Sequence, residues 1–228
     1  MGINYYQNLL HKQFPCYEGL EETTIGLHLQ FSIHRNDFVQ VLHDGHNHWV
    51  CISNIGCKGS EVNYYDSMFT GSLKPFVKKQ IASLVYGTGP KITVHVKPVQ
   101  QQRNGSDCGP FSLAFATSLL NNEDPSNVAY SQEKLREHLI HSHQKGKLTS
   151  FPQDNIQSKP LRRAKSRSIP LELYCVCRLP WDNTDKANID YHMAQCDKCS
   201  SWFHRKCAKI PDEVFKKTTS WHCRLCSV

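Results

Sequence analysis

The chain has 228 residues, a formal net charge of +7 and eleven cysteines. Its length exceeds a single typical domain, and no apolar run is long enough to cross a membrane. Because residues 1–19 contain no apolar export segment, we expect reduced thiols and metal ligands rather than the disulfides of a secreted protein.

Hydrophobic periodicity predicts an α+β domain over residues 1–151. Helical patterns cover residues 3–12, 73–86, 110–121 and 131–143, and strand patterns cover residues 38–43, 49–53, 61–65 and 92–96. A domain of about 150 residues can bury one hydrophobic core. We therefore expect one sheet with helices packed against it.

A reactive thiol is predicted at Cys108, within residues 102–111, which read QRNGSDCGPF. Cys108 follows an Asn-Gly turn and precedes a helical pattern in which Pro110 suits the first turn. A helix N-terminus stabilises negative charge, so the pKa of the Cys108 thiol should be lowered. The segment therefore predicts a nucleophile rather than an inert buried cysteine.

A nucleophilic thiol needs a base, and the base needs an orienting group. His48 directly precedes the strand pattern of residues 49–53, and Asp66 directly follows that of residues 61–65. Two neighbouring strand ends would bring both side chains to Cys108. Residue types alone make a weak case, because thirteen histidines offer many coincidental candidates.

The order of these residues resembles that of the Ulp/SENP cysteine proteases, which process SUMO and related ubiquitin-like proteins. The matching features are His48-Trp49, then Asp66, then Gln102 with Cys108 six positions later and a glycine after it. The resemblance implies a papain-like fold in which Cys108 is the nucleophile, His48 the general base and Asp66 its orienting group. Gln102 and the Cys108 backbone amide would form the oxyanion hole, and Trp49 would pack on the di-glycine tail of the substrate.

This family closes its substrate tunnel with a second tryptophan upstream of the catalytic histidine, near a Leu-Asn-Asp segment. The chain has no tryptophan before Trp49, and residues 3–10 resemble the helix that follows that segment. We therefore expect the chain to begin partway into the protease domain. A half-open tunnel would position the di-glycine tail less well and slow the reaction.

Residues 152–172 are predicted to be a basic linker between two domains. Apolar periodicity fades there, and five positive charges occur with no acid among them: Lys159, Arg162, Arg163, Lys165 and Arg167. A nuclear-import signal, a phosphate-binding arm and a solvated linker are all consistent with such a run. The rest of the chain lacks the basic, aromatic-rich face of a nucleic-acid-binding domain.

The last third of the chain contains eight potential zinc ligands in four pairs. They are Cys175, Cys177, Cys196, Cys199, His204, Cys207, Cys223 and Cys226. Zinc takes thiolate and imidazole ligands in closed four-coordinate sites, so this set predicts two structural zinc ions. The remaining cysteines apart from Cys108 are predicted to be ordinary buried thiols: Cys16, Cys51 and Cys57.

Four cysteines, one histidine and three cysteines, in that order, resemble the ligand pattern of a PHD finger over residues 173–228. The knuckle CDKC at residues 196–199 and the run WFH at residues 202–204 agree with it. The resemblance implies a cross-brace. One ion would be held by Cys175, Cys177, His204 and Cys207, and the other by Cys196, Cys199, Cys223 and Cys226.

The same resemblance implies an aromatic cage for trimethyl-lysine near the N-terminus of histone H3, formed by Tyr174, Trp181, Met193 and Trp202. A quaternary ammonium is attracted to ring faces by about 0.5–2 kcal/mol for each well-placed ring. The structural alternative is that these residues are small-domain core and loop anchors. Acidic residues of the same loop would attract a basic tail: Asp182, Asp185 and Asp190.

Two functions follow from these resemblances. The first is a chromatin-targeted cysteine protease that cleaves ubiquitin-like, SUMO-type precursors or isopeptide conjugates after di-glycine, with a PHD finger that reads methylated histone H3. The second is a catalytically weak or inactive chromatin reader whose protease fold is an interaction module. Both place the chain in the nucleus, and neither requires a membrane or a direct nucleic-acid partner.

Overall fold

The computed structural model describes residues 2–154, 162–163, 165–181, 186–216 and 219–227. Lys159 of the basic run and Asp182 and Asp185 of the acidic loop lie outside the described residues. Within these ranges, none of the helices combines the length and apolar character that a membrane span requires.

A mixed six-stranded sheet forms the centre of the first domain. In spatial order its strands are β1 (Glu18–Gly19), β2 (Phe38–His43), β3 (Trp49–Ser53), β4 (Glu61–Tyr65), β5 (Lys91–Val96) and β6 (Arg167–Glu172). β1 is parallel to β2 and β4 is parallel to β5, whereas the other neighbours are antiparallel. The predicted α+β class is confirmed.

Helices cover both faces of this sheet. They are α1 (Ile3–Gln13), α2 (Thr23–Gly26), α3 (Pro75–Leu84), α4 (Cys108–Leu120) and α5 (Leu135–Lys145). α1, α4 and α5 share one hydrophobic core with the strands, and α3 shares a second core on the opposite face. Every residue of α4 is buried, as expected for a helix that is apolar all round. The first residue of α4, Cys108, is therefore fixed against the sheet.

The strand patterns locate three strands correctly, at residues 38–43, 49–53 and 61–65. α4 begins at Cys108, two residues before the predicted start at Pro110. The proline still lies in the first turn, where a backbone N–H has no partner within the helix. The earlier start places the Cys108 thiol on the helix itself.

The three cysteines outside the predicted sites differ in exposure. Cys51 is fully buried in β3, and burial raises the pKa of its thiol. Cys57 is half-buried, and burial together with the nearby charge of Glu61 raises its pKa to about 11. The prediction of a buried thiol is wrong for Cys16, which is exposed in the turn after α1.

The end of the predicted basic linker forms the sixth strand of the sheet. All six residues of β6 pair with β5 in an antiparallel register. Ile169 and Leu171, two positions apart, pack into the second core. Two alternating apolar residues are too few to indicate a strand within a basic segment that contains proline. Residues 167–172 of the expected linker thus belong to the protease sheet.

The second domain consists of short elements around the cysteines. They include a 3₁₀ turn (Ile189–Tyr191), the hairpin strands β7 (Met193–Gln195) and β8 (Trp202–His204), and the helices α6 (Arg205–Ala208) and α7 (Asp212–Phe215). Its small core contains Ala194, Cys196, Phe203, Ile210 and Cys223. Because two of these five are candidate zinc ligands, bound metal has to compensate for a minimal apolar core.

The finger is attached directly to the edge of the sheet. Just after β6, Leu173 donates its backbone N–H to the carbonyl of Pro90 at 2.8 Å. Nη1 of Arg178 donates to the carbonyl of Gly89, also at 2.8 Å. Leu173 lies in the second core of the protease domain, and Leu179 packs against it. The first loop of the finger is therefore held by both polar and apolar contacts.

Candidate functional site

The three predicted catalytic residues lie together at one end of the central strands. β3 and β4 are antiparallel neighbours, so the start of β3 and the end of β4 lie side by side. His48 immediately precedes β3, and Asp66 immediately follows β4. Cys108 begins α4 there, with its Sγ 3.8 Å from the backbone oxygen of Asn47. The topology thus assembles residues that are far apart in sequence.

Asp66 holds the imidazole of His48 in one orientation, with 2.7 Å between Nε2 and Oδ1. The carboxylate is itself fixed. Its Oδ1 accepts the backbone N–H of Met68 at 2.8 Å, and its Oδ2 accepts the hydroxyl of Tyr64 at 2.9 Å. Asp66 is only 5% exposed, so this arrangement is shielded from water. The contact leaves Nδ1 of His48 available to the thiol.

Nδ1 of His48 is buried and makes no hydrogen bond of standard geometry with the described residues. Cys108 nevertheless lies close enough to affect the pKa of the ring. Such looser contacts are common in cysteine–histidine sites without substrate. Burial opposes a charge on His48, but the hydrogen bond to Asp66 and the interaction with Cys108 outweigh it and raise the pKa of His48 to about 10.

The pKa of the Cys108 thiol is shifted in the opposite direction, downward. Burial alone would raise its pKa, but interactions with the ring of His48 and the backbone N–H of Trp49 lower it below the ordinary value for a thiol. Its position at the N-terminus of α4 favours a negative charge as well. Both shifts favour a thiolate–imidazolium pair over a neutral thiol and imidazole.

A turn before β3 fixes His48 through a carboxylate that is absent from the predicted catalytic set. Oδ1 of Asp44 accepts the backbone N–H groups of His46, Asn47 and His48 at 2.9, 3.1 and 3.0 Å. Burial raises the pKa of Asp44, but these hydrogen bonds more than offset it and the pKa is lowered. The Asp-Gly pair at residues 44–45 was the available signal, because such pairs initiate turns.

Gln102, the predicted oxyanion-hole residue, is held by hydrogen bonds at both ends of its amide. Its Oε1 accepts from Oγ of Ser67 at 2.7 Å, and its Nε2 donates to the carbonyl of Asn104 at 2.5 Å. A side-chain amide carries two N–H donors, so one remains for an oxyanion. The carbonyl of Asn104 can only accept, so it determines which end of the amide carries the donors.

The residue before Cys108, Asp107, is also a buried carboxylate, and its hydrogen bonds fix it in place. Its Oδ2 accepts from Asn104 and Gln132 at 2.6 and 2.9 Å, and its Oδ1 accepts from Nε of Arg136 at 2.8 Å. Burial opposes its ionisation, but these three partners lower its pKa. The contacts with Gln132 and Arg136 span 25 and 29 residues, so no local pattern predicts them.

Trp49, predicted to pack on a di-glycine tail, is half-buried at the start of β3. Its ring lies 4.7 Å from that of His43, and its Nε1 is a buried donor without a hydrogen-bond partner in the described ranges. A Cβ on Gly109 would come within 3.1 Å of Ile3 and 3.9 Å of Trp49. The glycine after Cys108 therefore permits close packing of α1, α4 and Trp49.

The eight predicted zinc ligands form two groups of four. Cys175, Cys177, His204 and Cys207 make one group, and Cys196, Cys199, Cys223 and Cys226 make the other. Within each group all ligand atoms lie within 4.8 Å of one another. The Sγ atoms of Cys199 and Cys223 are 3.8 Å apart. A tetrahedral ion with Zn–S bonds of about 2.3 Å requires roughly that sulfur–sulfur separation, so the residues fit zinc.

The four predicted cage residues line one cavity of about 400 Å³. Tyr174, Trp181, Met193 and Trp202 share its wall with three residues outside the predicted set: Lys186, His192 and Phe215. Trp202 is 43% exposed, so its ring is a surface feature rather than finger core. Nζ of Lys186 lies 5.9 Å from the centre of the Trp181 ring, which places a cation at the rim of the cavity.

Comparison with family models gives two matches. Residues 31–148 match the Ulp1 protease family, C-terminal catalytic domain, and residues 171–228 match the UBR7-like PHD finger. The first match covers just over half of the 228 residues. Residues 149–170 lie between the two matches and belong to neither.

Known relatives share a short stretch with the chain. The chain is 38% identical over 68 residues to nucleosome-remodeling factor subunit NURF301 of Drosophila melanogaster. This match covers 30% of the chain and 2% of that protein. The chain is 36% identical over 56 residues to lysine-specific demethylase 7A of Xenopus tropicalis, covering 25% and 5%. Histone lysine demethylase PHF8 of Danio rerio is 36% identical over 61 residues, covering 27% and 5%. The chain thus spans only a small part of the length of these relatives.

Proposed function

The chain belongs to the Ulp1 protease family and carries a PHD finger behind its catalytic domain, and on this premise we propose that it is a chromatin-directed cysteine peptidase or isopeptidase. Its substrates are ubiquitin-like, SUMO-type precursors or conjugates, cleaved after di-glycine. The observation that carries the proposal is the 2.7 Å contact between His48 and Asp66 at the sheet edge where Cys108 begins α4.

The reaction begins with the thiolate of Cys108, which attacks the carbonyl carbon of the terminal glycine. The electron pair of the carbonyl moves to its oxygen, where N–H groups of Cys108 and Gln102 stabilise the charge. His48 then gives its proton to the leaving amine as the tetrahedral intermediate collapses. His48 next removes a proton from water, which hydrolyses the thioester, releases the carboxylate and restores the thiolate.

The surroundings of Cys108 suit a substrate without side chains. The thiol-bearing residue is only 3% exposed, and α1, α4 and Trp49 pack closely around Gly109. Two glycines present no side chain that would clash in such a narrow approach. The buried N–H of Trp49 can donate to a carbonyl of the incoming tail and recover the free energy of an unpaired buried donor.

The finger would direct this activity to histone H3 tails that carry trimethyl-lysine. Two structural zinc ions, one in each group of four ligands, would hold it folded. The exposed ring of Trp202 and the cavity that it lines support a cation-binding role. Histone-modifying and nucleosome-remodelling proteins among the relatives are consistent with this role and with residence in the nucleus.

We expect the finger to bind a trimethylated H3 peptide about tenfold or more tightly than the unmodified peptide, because only the quaternary ammonium is easily desolvated against the rings. Trp202→Ala should remove this preference, whereas Leu225→Ala, which changes a residue that is 82% exposed, should retain it. Titration calorimetry with the full chain measures both. Equal affinity for the two wild-type peptides would eliminate the cage.

The protease activity is tested by labelling with electrophilic probes built on ubiquitin-like proteins that end in di-glycine. We expect a SUMO-based propargyl probe to form a thioether with Cys108, detected as a mass shift on the peptide that contains it. Cys108→Ala should abolish the adduct, and Cys16→Ala, which removes an exposed thiol, should leave it unchanged. Ubiquitin and other ubiquitin-like probes in the same panel identify the substrate class.

The second candidate function is a chromatin reader with a weak or inactive protease fold. It is favoured by the closed state of the site, where Gln102 already donates to Asn104 and Cys108 is nearly inaccessible. Absence of labelling by every probe, with histone binding retained, would select this function.

A further inference from the structure

A segment outside both family matches inserts an arginine into the protease domain. The guanidinium of Arg163 donates to three backbone carbonyls, through Nη1 to Pro98 at 3.2 Å and to Ser126, and through Nη2 to Val128 at 3.3 Å. These carbonyls belong to the strand-like run before Gln102 and to the loop after α4. The planar guanidinium carries several N–H donors in fixed directions, so it can hold two such segments together.

The backbone around Arg163 also pairs with this run. The carbonyl of Arg162 accepts the N–H of Gln101 at 2.7 Å, and Arg163 forms an antiparallel bridge with Gln100. The side chain of Gln100 exchanges hydrogen bonds with the backbone of Tyr130 on the same side, at 2.8 and 3.1 Å. Hydrogen bonds therefore hold residues 99–102 along one edge.

The opposite edge of the run is joined to the catalytic loop. Nε2 of Gln101 donates to the carbonyl of Asp66 at 2.8 Å, and the N–H of Gln102 donates to the carbonyl of Ser67 at 2.7 Å. The run therefore lies between the loop that carries the orienting aspartate and the segment that carries Arg163. A displacement on the Arg163 side would move the amide of Gln102.

We infer that Arg163 is a positioning residue for the oxyanion hole, acting through residues 99–102 on Gln102. Residues 162–163 of the expected linker then support the oxyanion hole of the protease domain. The inference rests on the proposed function for its catalytic consequence. The mechanical connection itself rests only on the contacts above.

Hydrogen exchange of the full chain tests the connection without requiring turnover. In Arg163→Ala the amides of Gln101 and Gln102 should exchange about 10- to 100-fold faster, because the hydrogen bonds of the guanidinium are lost. Arg163→Lys should restore part of the protection. Arg162→Ala is the matched control, because that exposed residue contacts the run through its backbone carbonyl and should leave exchange unchanged.

Kinetics on a ubiquitin-like fusion distinguishes positioning from a general loss of structure. Arg163→Ala should lower kcat with little change in KM, and it should have no further effect in a Gln102→Ala background. Independent, multiplicative losses in the double variant would overturn the inference, as would unchanged exchange at residues 101–102. If the wild type shows neither turnover nor probe labelling, the proposed function fails, and exchange alone then decides the inference.

Discussion

Replacing His48 by alanine is expected to reduce the turnover of a ubiquitin-like fusion by about 10⁴-fold or more, since the base and the acid of both half-reactions are lost together. Binding should change little, because the ring contacts Asp66 and Cys108 rather than the body of the substrate. Stopped-flow or gel-based cleavage, analysed for kcat and KM separately, measures the loss.

The same variant should change how the alkylation of Cys108 depends on pH. In the wild type, the pKa of Cys108 is lowered despite burial, and that of His48 is raised to about 10. The ion pair should therefore exist from the lowered pKa of the thiol up to about pH 10, and kcat/KM should fall on both sides. In His48→Ala burial remains without its compensating partner, so the thiol pKa rises and alkylation at neutral pH slows.

His46→Ala is the matched control, because His46 is exposed in the same turn and contributes only its backbone N–H to Asp44. It should retain the wild-type rate and pH profile. Rates are followed on the peptide that contains Cys108 by mass spectrometry, which separates it from the exposed Cys16. An unchanged pH profile in His48→Ala would mean that the imidazole does not stabilise the thiolate.

Removal of zinc is expected to unfold the finger and leave the protease domain folded. Each structural site supplies about 10 kcal/mol or more, which the small apolar core around Phe203 and Ile210 does not replace. Three of the four tryptophans lie in the finger, at Trp181, Trp202 and Trp221, so intrinsic fluorescence should respond strongly to a chelator. β6 ends at Glu172, ahead of the first ligand, so the sheet keeps its six strands.

Native mass spectrometry should count two zinc ions for each chain. Cys223→Ser, which changes a buried ligand, should lose at least one ion and the folded finger, whereas His222→Ala should retain both ions because its exposed side chain is in neither ligand group. A single ion in the wild type, or fluorescence that does not respond to chelation, would contradict the two-site arrangement.

Much of the protease fold was predictable because its strands have strong local signals. β2, β3 and β4 are apolar runs bounded by turn residues, and their ends locate His48 and Asp66. β6 was missed because only Ile169 and Leu171 mark it, within a segment whose charge suggests solvent. Its partner β5 precedes it by about 75 residues, and no local rule connects the two.

The candidate site divides in the same way. The candidate catalytic residues were predicted, including the orienting Asp66, but the further carboxylates that hold their surroundings in place were not. The Asp-Gly pair at residues 44–45 signals a turn, but it does not show that Asp44 accepts the N–H of His48. Asp107 is bonded to the distant side chain of Arg136, which no local pattern indicates. The spacing of the eight zinc ligands predicted two sites, and only the resemblance to PHD fingers divided them between the two ions. The geometry has that same division.

The attachment of the finger to the sheet has a consequence for which nucleosomes would be acted upon. β6 is paired along its whole length, and Leu173 and Arg178 anchor the chain immediately after it. The finger is therefore held directly against the sheet. Under the proposed function, a methyl-lysine bound by the finger would then lie at a set distance from Cys108. Under the proposed function, the position of a conjugate relative to the methyl mark, rather than its local concentration, would then decide whether it is cut.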